Sequence, residues 1–196
     1  AGPPILTAPH MGEVGGPTLI RPRGDGRQAP GTRPEALGPL AHLPAFELQD
    51  ALDRLAVLPQ VVAIKEATGS LERAREIRQL CGEMVAIYSG DDETSCDLML
   101  EGAQGTISVT ANVAPETMAQ MADAAVKGDA ELAQSLDAKL RGLHQTLFLE
   151  SNPIPVKWAL SHLDRIPPGI RLPLTSLSLR HHDEVIAAMQ QAGVLT

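Results

Sequence analysis

Long apolar runs are missing from this chain of 196 residues. None approaches the ~20 residues needed to cross a bilayer, which excludes a spanning helix. A basic segment leading into an apolar core is also missing at the N-terminus, so no secretory signal is read there. Positive charge is short: 16 Lys and Arg stand against 24 Asp and Glu, for a net charge of −8. Nucleic acid and anionic membranes both need a basic face, so neither is expected as the main partner. Cysteine is scarce. Cys81 and Cys96 have no metal-binding or redox spacing and read as free, buried thiols of a cytoplasmic protein.

Aromatic residues are absent from residues 1–45, which hold nine of the sixteen prolines and eight of the seventeen glycines. A stretch such as "GEVGGPTLIRPRGDGRQAPGTRP" sustains neither ladder nor helix, because proline removes donors and glycine raises the entropy cost of ordering. Too little apolar surface is available there to offset that cost. A largely disordered leader with a boundary near Ala45 is therefore expected.

From Phe46 the pattern alternates between helix and strand. "FELQDALDRLAVL" places Leu48, Leu52, Leu55 and Leu58 at helical spacing. "VVAIK" is an apolar run, and "SLERAREIRQLCG" follows with Leu71, Ala74, Ile77 and Leu80 on one face, Ser70 as cap and Gly82 as stop. "MVAIYSG" leads to a short helix in "DDETSCDLMLEG" with acids at its positive end. "GTISVTAN" precedes the helix "APETMAQMADAAVKG", in which Met118 and Met121 read as core. Apolar runs thus begin near residues 61, 84 and 105, a period of about 22. Strands apolar on both faces, each followed by a helix, form a parallel sheet covered by helices. A doubly wound sheet and a (β/α)₈ barrel both satisfy this.

After Gly128 the strands stop. Leu132, Leu136, Leu140, Leu143 and Leu147 share one helical face, and two more helices are read in "NPIPVKWALSHL" and "HHDEVIAAMQQAG". The expected organisation is a leader at 1–45, β/α units at 46–128 and a helical domain at 129–196.

Reactive groups of parallel β/α folds lie at the carboxyl ends of the strands. Three segments occupy those ends: Lys65–Thr68, Ser89–Asp92 and Ser108–Asn112. A lysine desolvated there can lose its proton and attack a carbonyl, forming a Schiff base. The competing reading is a lysine that snorkels to water, paired with Glu66 or Asp91. "SGDD" could hold a metal or simply complement a helix dipole. Gly90 either admits a ligand to the backbone or permits a tight turn. His181 and His182 point opposite ways and read as solvated.

Four stretches together, "AIKEATGS", "YSGDDE", "EGAQGTISVTANVAPE" and "ESNPIPVKWAL", resemble the 4-hydroxy-tetrahydrodipicolinate synthase (dihydrodipicolinate synthase) family. The likeness runs from about Phe46 to the C-terminus. Related pyruvate-dependent lyases such as N-acetylneuraminate lyase share the lysine but usually lack the later motifs. The resemblance implies the C-terminal part of a (β/α)₈ TIM barrel, about three β/α units, followed by an α-helical domain, in a homotetramer. It implies condensation of pyruvate with aspartate semialdehyde on the route to diaminopimelate and lysine. Lys65 matches the Schiff-base lysine, Ile107 a position whose backbone contacts pyruvate, and Gly90 a glycine lining that pocket. No metal or dissociable organic cofactor is implied.

The departures fall upstream. A complete member carries about five β/α units before the lysine strand, a Thr-Thr pair for the pyruvate carboxylate, a proton-relaying tyrosine and a "YNVPGRT"-like segment. Residues 37–43 read "LGPLAHL" where that segment is due, and Tyr88, the sole tyrosine, is not at the relay position. Residues 1–45 read as foreign to the family. Two expectations remain open: a truncated synthase of little activity, and a non-catalytic fragment or oligomerising module.

Overall fold

The computed structural model of the chain describes residues 18–20, 52, 58 and 61–195. Its sheet runs in the order β1 (Thr18–Ile20), β2 (Ala63–Glu66), β3 (Ala86–Ser89) and β4 (Gly105–Thr106). β2 pairs parallel with β3, Ala63 opposite Ala86 through Glu66 opposite Ser89. β3 pairs parallel with β4, Tyr88 opposite Gly105 and Ser89 opposite Thr106. The three apolar runs therefore do form one parallel sheet. All four residues of β2 are buried, as a strand covered on both faces requires.

β1 departs from the expected leader without secondary structure. Thr18–Ile20 pair antiparallel with Ile20 opposite Ala63 and Thr18 opposite Lys65. "TLI" is a short proline- and glycine-free island of strand-favouring residues, and the outer edge of β2 offers unpaired backbone groups. The rest of the leader, the boundary near Ala45, and Leu48 and Leu55 of the first expected helix lie outside the described residues. Leu52 is buried and Leu58 exposed.

Helices α1 (Leu71–Cys81) and α2 (Ser95–Leu100) follow β2 and β3. Ser70 caps α1 by accepting the N–H of Arg73 at 3.2 Å, and Gly82 ends it at a positive φ of 55°. The face of α1 turns so that Ala74, Ile77 and Cys81 are buried while Leu71 and Leu80 flank the core. After β4 the described chain is helical: α3 (Thr110–Val113), α4 (Pro115–Val126), α5 (Ala130–Thr146), α6 (Ile154–His162) and α7 (His182–Gln191). α5 packs against both α4 and α7. Gly142 permits the second contact, since a Cβ there would stand 2.8 Å from Gln191 Oε1 and 3.3 Å from the Ala188 backbone.

One apolar core runs from Leu52 to Ala192 and includes Met118, Met121, Val185 and Met189. The seam of α5 is buried at Leu136, Leu140, Leu143 and Leu147, but Leu132 is 48 % exposed. Ala133 takes the first-turn position on that face, because the inward stripe runs 133, 136, 140, 143 and 147. His181 and His182 also differ from expectation. His181 accepts from Arg180 Nε at 3.0 Å and lies 3.7 Å from Glu184. His182 lies against Trp158, with ring centroids 4.3 Å apart. Both thiols are buried, and burial pushes Cys96 up to about 12, with Asp137 and Asp97 adding to the effect. Among the described residues no helix is long and apolar enough to cross a membrane.

Candidate active site

The parallel register brings Lys65, Gly90 and Ile107 to one edge of the sheet. Lys65 lies next to last in β2, while Gly90 and Ile107 are the first residues beyond β3 and β4. Two backbone hydrogen bonds extend the ladder past the strands. Gly90 N–H donates to Glu66 C=O at 2.6 Å, and Ile107 N–H donates to Ser89 C=O at 2.7 Å. The three residues singled out in sequence are thus carried on adjacent strand ends.

Lys65 is only 6 % exposed. Desolvation by burial holds its amine below the ordinary lysine range, and the charge of Asp92 opposes that lowering in part. A lysine snorkelling to water would have neither property. Its neighbours also differ from those expected. The Glu66 carboxylate accepts the N–H and the hydroxyl of Thr68, each at 3.0 Å. Asp91 accepts the N–H of Thr94 at 3.0 Å and its hydroxyl at 2.8 Å. Among the described residues, Asp92 is the carboxylate whose charge acts on the lysine.

Gly90 is required by a side chain and not by its backbone conformation. A Cβ added there would stand 2.3 Å from Lys65 Cε and 2.6 Å from Ala67 Cβ. Neither distance is tolerable, so the missing side chain is the space through which the lysine runs. Gly90 is the reason Lys65 can lie along the sheet edge.

Asp92 does not serve as the helix-dipole partner its position before α2 implies. Its side chain turns to the loop after β4, where Oδ2 accepts the N–H of Val109 at 3.0 Å and of Thr110 at 2.9 Å. Sequence reading also missed His144 and Asp137. The Thr110 hydroxyl meets His144 Nδ1 at 2.9 Å, and His144 Nε2 lies 3.4 Å from Asp137 Oδ1. All three side chains are buried. A signal for them existed: Asp137 and His144 are polar residues seven apart on the apolar stripe of an amphipathic helix. Among the described residues no group of three His, Cys, Asp or Glu is placed to share a metal ion.

The Dihydrodipicolinate synthetase family profile matches residues 48–192. The chain is 52 % identical over 148 residues to a 4-hydroxy-tetrahydrodipicolinate synthase of Pseudomonas aeruginosa, covering 76 % of this chain and 51 % of that protein. It is 55 % identical, over the same shares, to the enzyme of that name from Methylococcus capsulatus. The fold matches the crystal structure of the chloride-inhibited dihydrodipicolinate synthase of Acinetobacter baumannii complexed with pyruvate, with a TM-score of 0.72 and 46 % identity. That match covers 75 % of this chain and 50 % of the other. The chain therefore spans about half the length of the curated relatives it matches. The match over residues 48–192, with the α/β fold of the described residues, places the chain in the dihydrodipicolinate synthetase family.

Proposed function

We propose that Lys65 is the imine-forming amine of a dihydrodipicolinate synthase site that takes pyruvate and, as second substrate, aspartate semialdehyde. The single observation that carries this reading is a buried lysine at a parallel strand end whose amine is held below its ordinary basicity. A neutral amine is what the first step needs. Its nitrogen adds to the ketone carbon of pyruvate. With one proton taken up, water then leaves and an iminium remains. The iminium draws electrons from the methyl carbon, which loses a proton and becomes an enamine nucleophile. Attack on the semialdehyde carbonyl would follow. The likeness to a family member crystallised with pyruvate supports the choice of first substrate. Gly90 and Ile107, on the strand ends beside Lys65, are read as the wall and the backbone contact of the pyruvate pocket. Assembly as a homo-oligomer, and a place for these strands within a (β/α)₈ barrel, belong to the same reading.

One observation favours a second reading, a folded piece with little turnover. The chain's sequence holds no Thr-Thr pair and no tyrosine other than Tyr88. Loss of positioned acid–base help lowers rates by ~10²–10⁴. The imine step and the complete reaction are therefore expected to separate. In D₂O, the chain should exchange the methyl protons of pyruvate faster than buffer does, and Lys65→Ala should abolish the excess. Condensation with aspartate semialdehyde should stay ~10²-fold or more below that of a complete relative. Exchange at the buffer rate, or exchange unchanged by Lys65→Ala, overturns the assignment of Lys65.

A further inference from the structure

Asp92 is 2 % exposed, and only one of its two carboxylate oxygens has a hydrogen-bond partner among the described residues. Oδ2 holds the N–H groups of Val109 and Thr110, which fixes the plane and direction of the group. Oδ1 is buried and receives nothing from the described residues. A half-satisfied buried carboxylate is costly, and proteins keep one where a charge elsewhere uses it.

We propose that Asp92 is a positioning residue for Lys65: a buried counter-charge, aimed by the backbone of residues 109 and 110, that favours positive charge on the lysine nitrogen. Two features of the fold place it there. The parallel register sets the Ser89–Asp92 segment beside Lys65, and the lysine side chain runs through the space left at Gly90, two residues from Asp92. One of the donors that aim the carboxylate is itself anchored, because the Thr110 hydroxyl bonds His144 Nδ1 on α5, whose Nε2 lies 3.4 Å from Asp137. Asp137 ends this chain of contacts near the surface, 3.9 Å from Arg141.

The chemistry gives this arrangement a use. Imine formation converts a neutral amine into an iminium, with one proton taken up and one water released. Desolvation favours the amine that starts the step, and the fixed carboxylate stabilises the cation that ends it. Burial and the charge of Asp92 act on Lys65 in opposite directions, and a substitution can remove the charge. Among the described residues, other charged or titratable groups also stand near the lysine and Asp92. Glu66 and Asp91 are occupied by threonines. Tyr88 stands opposite Lys65 on β3. His144 and Asp137 lie beyond Thr110 on α5, and Cys96 is on α2.

This inference rests on the reading of Lys65 given above, and competitive labelling of amines with a trace of acetic anhydride tests it without pyruvate. Removing the negative charge should lower the lysine further. The Lys65 labelling midpoint is expected to fall by about one pH unit in Asp92→Asn and to stay near the unaltered value in Asp92→Glu. A midpoint unchanged in Asp92→Asn overturns the proposal. Should that variant fail to fold, ¹³C carboxyl NMR of the unaltered chain decides. The Asp92 signal, identified by its loss in Asp92→Glu, should inflect at the pH where Lys65 loses its proton, and no inflection there overturns the proposal. A shifted midpoint without pyruvate exchange would uphold the counter-charge and remove the imine.

Discussion

Gly90→Ala is expected to cost the chain ~1–3 kcal/mol of stability, as overpacking of a filled site does, and to remove Lys65 from its position. The added methyl would press on two groups of different kinds. Lys65 Cε, 2.3 Å away, belongs to a flexible side chain and can swing aside. Ala67 Cβ, 2.6 Å away, is fixed to the backbone and cannot. The lysine therefore gives way first, and the remaining clash strains the turn after β2. Thermal melting should show the loss of stability, and borohydride trapping of a pyruvate adduct on Lys65 should be largely abolished. A melt and a trapping yield both equal to those of the unaltered chain would show that the lysine does not use this space.

Leu140→Ala should produce the largest loss of stability of any single apolar truncation in α5, ~2–5 kcal/mol. Leu140 is wholly buried near the middle of α5, a helix that packs against both α4 and α7. The close approach of Gly142 to Ala188 keeps the two backbones from closing over a cavity left nearby. Leu132→Ala serves as the control, since its side chain is half exposed and should change the melt by no more than ~0.5 kcal/mol. Equal effects from the two substitutions would mean that α5 presents another face to the core.

How much of this was legible in the sequence depended on the range of the interaction. The apolar runs recur with the period of a strand–helix unit, and a parallel sheet followed from it, while the order β2, β3, β4 comes from the structure. Ser70 and Gly82 act within one turn of their helix, so their roles could be read locally. Leu132 could not, because a repeat of leucines leaves the edge of a stripe undetermined and a small residue, Ala133, took the inward place. The strand Thr18–Ile20 pairs with residues more than forty positions away, and no local pattern announces an antiparallel edge.

The candidate site shows the same division. Lys65 and Gly90 stand in short motifs at strand ends, where topology alone concentrates reactive groups. Asp92 looked like a helix-dipole partner because it precedes α2, yet its carboxylate reaches across to Val109 and Thr110. Those two bonds also explain why "ISVTANV" is not one long strand. β4 is two residues long, and the chain turns into α3 where Asp92 receives its N–H groups. His144 and Asp137 come from a helix thirty or more residues further on, and only the packed structure joins them to the strand ends.

The central claim is that the desolvated amine of Lys65 condenses with pyruvate, and reductive trapping tests it most directly. The chain is incubated with pyruvate and sodium borohydride, digested, and mapped by mass spectrometry. The account predicts an added pyruvate-derived mass on Lys65, none on Lys127, Lys139 or Lys157, and no adduct in Lys65→Ala. An adduct spread evenly over the lysines, or none on Lys65 in a chain shown to be folded, would contradict it.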